Sequence, residues 1–387
     1  MNQNSKDDVN RARTSRRSFL KIAAVAGGML GLPGISQVAG SQSGSPKTTQ
    51  TSSKSSRPSI TFAGYPYDRV KGLVNGKVKV EGCDTQYERA NIYKLNGMAM
   101  GGDQKWEFQE IGLHPYMLAY ANTNFRDYTL IPVFPLRTFR HKSMFIRTDR
   151  GINSPSDLKG KTVAAAGYSQ SSLVWIRGHL FHEYGIKPED MQWIISRKSS
   201  DKGKVSKHES ALPEGVPITF GPEGVDESEL LESGKVDAVF SALEPQGYID
   251  GHSKIDRLFS DYDQVERAYF IKTGIFPIMH AVAIRQDVVK QHPWLPEAVF
   301  QAYSQAKQHM YKAMKELGWA MISLPWLAKE LEDTQALMGE NYWPYGIEPN
   351  RKTLEALFQY SFEQGMAKHL LTVEELFHAS TLKLTET

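Results

Sequence analysis

Between Met144 and Ser241, short apolar runs alternate with helical stretches, and this alternation constrains the fold more than any other feature. Met144-Phe145-Ile146-Arg147 reads as a strand. Asn153 to Asp157 leads into Leu158-Lys159-Gly160-Lys161-Thr162-Val163-Ala164-Ala165, which spells a short helix, a turn and a buried strand. The next helix opens among Ser169, Ser171 and Ser172 and runs to Tyr184, where Gly185 stops it. Leu173, Ile176, Leu180 and Tyr184 share roughly one face of it. Glu229 to Ser233 is a short helix and Ala238-Val239-Phe240-Ser241 a strand. Strands alternating with helices indicate an α/β fold with largely parallel sheets.

The flanking regions extend the pattern. Ser59 to Ala63 alternates as a strand ending at Gly64, Asp68 to Val74 is a helix stopped by Asn75-Gly76, and Val78 to Val80 is a second strand. Ile111 to Ala121 reads as a helix, Leu130 to Phe134 and Met279 to Ile284 as strands, and residues 199–224 as a long polar surface loop. After Trp294 the chain turns mostly helical, with helices expected over Leu295–Leu317, Trp319–Leu337, Arg351–Met366 and Val373–His378.

The N-terminus follows different rules. Ser15-Arg16-Arg17-Ser18-Phe19-Leu20-Lys21 matches the twin-arginine export pattern. An apolar run from Ile22 to Leu32 follows, too short to span a bilayer and interrupted by Gly27, Gly28 and Gly31. A helix core rarely tolerates three glycines in five positions, so a signal peptide reads better than a basic arm before a buried helix. Val38-Ala39-Gly40 supplies small residues for cleavage, and residues 41–58 have the composition of a flexible linker. The expected organisation is a signal over 1–40, a linker over 41–58, and a mature chain delivered to the periplasm or cell exterior by the twin-arginine translocase.

Residues 59–387 suffice for two domains, or for one large one. A net charge of +3 leaves no electrostatic footprint for nucleic acid. Cys83 is the single cysteine, which excludes an internal disulfide and cysteine-rich metal clusters within the chain. There is no Walker loop, nucleophile elbow, His-Glu-x-x-His or dinucleotide fingerprint.

The string Asn153-Ser-Pro-Ser-Asp-Leu-Lys-Gly-Lys-Thr-Val163, followed by a strand and a Ser-rich helix start, resembles the type II periplasmic-binding-protein fold. Four further strings, in order, are similar to the 4,5-dihydroxyphthalate decarboxylase family: Pro135 to His141, Val174 to Gly178, Thr273 to His280, and Trp343 to Arg351. The resemblance covers nearly all of residues 60–380. The chain departs from it around Asn91 to Lys105, at Gly167 where an acidic residue is expected, and in carrying an export signal. The resemblance implies a two-lobed α/β fold with a ligand cleft between lobes. Lobe 1 is expected over 59–143 and 285–387, lobe 2 over 149–275, and crossover strands near 144–148 and 279–284.

Candidate chemistry clusters at strand ends, where such folds bind ligands. Arg137, Arg140 and His141 follow a strand-like segment and suit a carboxylate, the alternative being a solvated basic loop. Ser169, Ser171 and Ser172 open the helix that holds Trp175 and Arg177, which makes an anion site or an ordinary cap; Arg177 is either a ligand contact or a brace. His179 and His182 have metal-pair spacing but read as helix residues. His280 is a core histidine or a proton donor at the cleft, and Glu110, paired with His114 before a helix, and Glu244 after a strand are cleft candidates. Trp343 and Tyr345 are packing residues or the floor of an aromatic pocket.

Two functions fit. One is a carboxy-lyase that releases CO2 from a small carboxylated hydroxyaromatic such as a hydroxyphthalate. There His141 or His280 would give the proton, Glu110 or Glu244 act at the phenol, and Arg137, Arg140 and Arg177 hold carboxylate. No cofactor is evident; a divalent metal would fit the chemistry, but no ligand cluster demands one. The other is a non-catalytic binding protein that hands such a ligand to the permease of an ABC-type transporter.

Overall fold

A computed structural model describes residues 57–198, 212–316 and 322–386. The twin-arginine string, the cleavage region and the linker to Ser56 lie outside the described residues. Arg57 onward forms one compact unit.

Along the chain the elements are β1 Ser59–Gly64, α1 Lys71–Val74, β2 Asp84–Arg89, α2 Ile92–Met100, β3 Phe108–Gly112, α3 Leu113–Thr123 and β4 Tyr128–Ile131. Then come β5 Met144–Arg147, β6 Thr162–Ala165, α4 Ser171–Tyr184, β7 Gln192–Ile195, β8 Ile218–Phe220, α5 Glu227–Glu232, β9 Ala238–Phe240, α6 Gln246–Ile249, β10 Ile255–Arg257 and α7 Tyr262–Thr273. β11 His280–Arg285, α8 Gln286–Gln291, α9 Leu295–Met314, α10 Leu327–Met338, α11 Arg351–Glu363 and α12 Val373–Leu376 complete it.

Two sheets result, ordered β2-β1-β3-β11-β4 and β10-β5-β9-β6-β7-β8. In the first, β1 runs parallel to β2 and β3, whereas β11 returns antiparallel between β3 and β4. In the second, β6 runs parallel to β7 and β9, and β7 to β8, whereas β5 is antiparallel to β9 and β10. This is the two-lobed α/β fold of type II periplasmic-binding-protein form, one lobe built on each sheet. Each sheet carries its own buried apolar cluster, around Phe62, Phe108 and Ile284 in the first and around Val163, Trp193 and Phe240 in the second. Full burial of each such large side chain contributes about 1.5–3 kcal/mol.

Several expected elements shift. Val78 and Val80 are buried but form no strand; the second strand is β2, whose polar sequence hides its pairing at a sheet edge. The expected helix from Ile111 begins two residues later, because Ile111 and Gly112 belong to β3. The polar loop over 199–224 contains β8, an edge strand with exposed Phe220; residues 199–211 are outside the described residues. The expected helix from Trp319 begins at Leu327, and residues 317–321 are not among those described.

The expected crossover strands near 144–148 and 279–284 are each claimed by one sheet, β5 by the second and β11 by the first. The chain passes between the sheets through the segments just before them, 132–143 and 274–279. These segments pair: Arg137 bridges Ile278, the Thr138 N–H donates to Pro277 O (3.1 Å), and the Met279 N–H to Leu136 O (2.9 Å). The C-terminal region packs on both sheets' helices. α9 lies against α1, and α11 lies against α4, with Gln364 Nε2 donating to Val174 O (3.0 Å).

Candidate active site

The C-terminal ends of β1 and β3, the start of β11 and the N-terminal end of α4 surround a cavity of about 520 Å3 between the two sheets. Strand ends of parallel sheets leave unpaired backbone and loop side chains there, which is why ligands settle at such crevices.

One wall is a carboxylate–imidazole pair. The β3–β11 register places His280 opposite Gly112, so Glu110, two residues along, lies diagonally across on the same face. His280 Nδ1 donates to Glu110 Oε1 at 2.5 Å, the Tyr67 hydroxyl donates to the same oxygen at 2.9 Å, and the Tyr65 N–H donates to Oε2 at 3.0 Å. Glu110 is 2% exposed. Burial, and then the Glu110 charge, push the Tyr67 phenol far above its ordinary range, so it stays a donor. Gly64 makes room: a Cβ there would stand 3.0 Å from Glu110 Oε2. The imidazole is therefore fixed by Nδ1, and Nε2 has no partner among the described residues. Tyr65, Tyr67, Tyr93 and His280 all line the cavity, and Tyr65 stacks near the His280 ring.

The opposite wall is cationic. Arg140 is 5% exposed and forms no ion pair among the described residues. Its contacts are weak: the thioether Met279 Sδ, a poor acceptor, at 3.3 Å, and two long oxygen contacts, Ser143 Oγ at 3.4 Å and Ala242 O at 3.4 Å. A buried guanidinium so weakly engaged is a ready anion site. Burial lowers its pKa to about 10, so it is cationic at neutral pH. Beside it, Gln170, Ser171 and Ser172 bring the start of α4 to the cavity, and no side chain caps that start. Helix-end N–H groups and the local dipole favour an anion. Ser171 Oγ is committed to Met279 O (2.9 Å) and the His114 N–H (3.1 Å). Ser169 lines the cavity and accepts from His114 Nδ1 through its carbonyl (2.6 Å), while Gln170 Nε2 reaches across to the Tyr93 hydroxyl at 3.4 Å.

The remaining candidates are committed to other partners or lie away from the cavity. Arg137 lines it but is held as a brace by Asn350 Oδ1 (2.7 Å) and Phe276 O (2.7 Å). His141 points into the interior, its ring stacked 4.9 Å from His179 and in contact with Tyr269 and Phe259, and burial lowers its pKa to about 4. As a proton donor it is misplaced: no edge of it lines the cavity. Glu244 is exposed and ion-paired with Arg257. Trp175 is fully buried and donates to Ile278 O (2.9 Å). Arg177 is the brace, donating to Gln364 Oε1 (2.7 Å) and Tyr168 O (2.9 Å). Trp343 donates to Phe134 O (2.9 Å) with the Arg69 guanidinium over its ring, and buried Tyr345 lies under Lys307; neither floors the cavity. His182 pairs with Glu363 at 2.8 Å. Among the described residues no group of three or more His, Cys, Asp or Glu converges as a metal site.

Sequence reading missed Tyr65, Tyr67, Tyr93, Asn96 and Lys142. The Tyr65-Pro66-Tyr67 turn just past the end of β1 was the available signal, since it stands at a strand's C-terminal end.

The chain is similar to several known proteins. Residues 116–207 match the family described as NMT1/THI5 like. The chain is 32% identical over 328 residues to a 4,5-dihydroxyphthalate decarboxylase of Comamonas testosteroni, an alignment spanning 85% of this chain and 98% of that one. It is 33% identical over 202 residues to a 4,5-dihydroxyphthalate decarboxylase of Pseudomonas putida, spanning 52% and 77%. Similar solved structures include the periplasmic aliphatic sulphonate binding protein SsuA from Escherichia coli, with a TM-score of 0.47 and 13% identity over 82% of this chain and 97% of that one. With a relative above 30% identity matched over nearly its whole length, and with two of the four family strings, Pro135 to His141 and Thr273 to His280, on the segments that connect the two lobes, this chain belongs to the 4,5-dihydroxyphthalate decarboxylase family.

Proposed function

We propose that this protein is an exported carboxy-lyase that releases CO2 from a small hydroxylated aromatic carboxylate of the hydroxyphthalate class. The observation that carries the reading is the Glu110–His280 pair, buried, oriented by Tyr67, and facing a cavity whose far wall holds the weakly engaged guanidinium of Arg140. A binding protein needs the cation and the aromatic wall. It has no use for a buried acid–base pair.

The chemistry is proton for carboxylate. A hydroxyl para or ortho to the reacting carbon pushes electrons into the ring, and the ring carbon takes a proton from His280 Nε2. The C–C bond to the carboxylate then breaks, its electron pair returns to the ring, and CO2 leaves. Glu110 stabilises the imidazolium before transfer. Arg140, Ser172 and the start of α4 hold the carboxylate that stays. A divalent metal polarising the substrate would add to this scheme without replacing any of its parts.

The test is CO2 release by the purified mature chain from 4,5-dihydroxyphthalate, with and without added divalent metal. Release supports the reading. Tight binding without release under both conditions would replace it with a ligand carrier serving a transporter.

The two arginines should separate. Arg140→Met should weaken a phthalate by at least about tenfold, since a charge-assisted hydrogen bond is worth roughly 1.5–3 kcal/mol. Arg137→Met should chiefly destabilise, by about 1–3 kcal/mol for the acceptors it leaves unpaired. Calorimetry and urea denaturation on both variants check this; equal effects on binding would show that both are ligand contacts.

Export is carried by the Ser15–Lys21 string. Arg16→Lys together with Arg17→Lys should leave full-length protein in the cytoplasm; unchanged periplasmic recovery in fractionated cells would refute the route.

A further inference from the structure

We propose that Lys142 is a specificity-determining residue whose ammonium selects ligands bearing a second carboxylate over ligands bearing one; the proposal rests on the reading of this cavity as the substrate site. Lys142 lines the cavity two residues after Arg140, on the segment that passes between the lobes. Its backbone is fixed at both ends, the N–H donating to Glu266 Oε1 (3.1 Å) and the carbonyl accepting from Arg257 Nε (2.9 Å). Its side chain is half-buried and its ammonium has no ion pair among the described residues.

Arg137, Arg140 and Lys142 contribute three cations, and none of them is ion-paired among the described residues. Arg137, lowered by burial to about 9, and Arg140, at about 10, remain charged at neutral pH. Two carboxylates stand near: Glu110 behind His280, and Glu266, whose field reaches Arg140 and Lys142 without an ion-pair contact. When His280 carries the proton it will donate, the cavity therefore holds an excess of two positive charges, which a dianion neutralises and a monoanion does not. The reaction keeps this balance. His280 gives up its proton as the substrate loses one carboxylate as neutral CO2, so a dianion facing two excess charges becomes a monoanion facing one. Arg140 and the start of α4 account for the carboxylate that stays. Lys142 is the remaining cation with no partner, and it supplies the second unit of charge.

The experiment measures binding of phthalate and benzoate by calorimetry to the mature chain and to Lys142→Met and Lys142→Arg. Wild type should favour phthalate by at least about tenfold. Lys142→Met should weaken phthalate about tenfold and benzoate by less than about twofold, and Lys142→Arg should restore the preference. Equal losses for both ligands, or an unchanged phthalate affinity, would overturn the role of Lys142. The reading of the site as a decarboxylase is scored separately: CO2 release by wild type with no dianion preference sinks only the present inference, and dianion preference without CO2 release sinks only the catalytic one.

Discussion

His280→Gln should cut CO2 release by roughly 10²–10⁴-fold while weakening phthalate by no more than about tenfold, the loss of the single charge that protonated His280 contributes. The asymmetry follows from the layout. Glutamine keeps a polar group against Glu110 but cannot deliver a proton to carbon, and the anion-holding groups lie on the other wall. Glu110→Gln should give a smaller loss, because the imidazole remains but loses the carboxylate that stabilises its charged form. Tyr67→Phe should be milder still, since the Tyr65 N–H continues to hold Glu110. His141→Phe should leave turnover near wild type, because its ring lies among His179, Tyr269 and Phe259 rather than at the cavity. Single-turnover assays on the four variants decide this. A His280→Gln variant that keeps turnover, or a His141→Phe variant that abolishes it, would move the proton donor from one histidine to the other.

The contrast between those histidines shows what was legible in the sequence. The α/β alternation of the second lobe was readable because buried parallel strands are continuous apolar runs, as at Val163 to Ala165 and Ala238 to Phe240. β2 was not, because Asp84 to Arg89 is a polar edge strand whose partner is set by tertiary pairing. Glu110 and His280 were both picked out, yet as independent groups with different tasks. Their pairing depends on an antiparallel register between segments 170 residues apart, which no local pattern encodes. Arg137, Arg140 and His141 looked like one cluster. Within five residues of irregular chain, however, the backbone sends Arg137 to Asn350, Arg140 toward the cavity and His141 into the interior. Lys142, one residue further, carries no local pattern that marks it as a cavity residue.

The interior histidines carry a second large effect, on stability against acid. His114, His141 and His179 are each at most 1% exposed. His114 donates Nδ1–H to Ser169 O and meets Ser361 Oγ at 2.8 Å; among the described residues both ring nitrogens of His179 lack partners, and His141 Nδ1 lacks one. Burial, which opposes the charged ring, lowers His114 from 6.5 to about 3, His141 to about 4, and His179 well below its ordinary value. With folded pKa values below the unfolded ones, the stabilisation is complete above about pH 6.5 and is lost as pH falls, because the unfolded chain takes up protons that the folded chain refuses. Each such histidine costs up to about 1.4 kcal/mol per pH unit, so His114 and His141 together remove roughly 4 kcal/mol between pH 6.5 and 4.5, and His179 adds to that loss. That is a large part of the whole stability of an ordinary domain, about 5–15 kcal/mol. Ion-paired carboxylates act later: Lys105 holds Glu88 down to about 2, and Arg147 holds Asp149 below its usual range, so their contribution is lost only under more acid conditions. Urea midpoints measured from pH 7.5 to 4.5 should therefore fall steeply below about pH 6.5, and His141→Phe should lessen the slope by about one proton. A stability that stays flat down to pH 5 would mean that these rings are already charged, or reach water, in the folded protein.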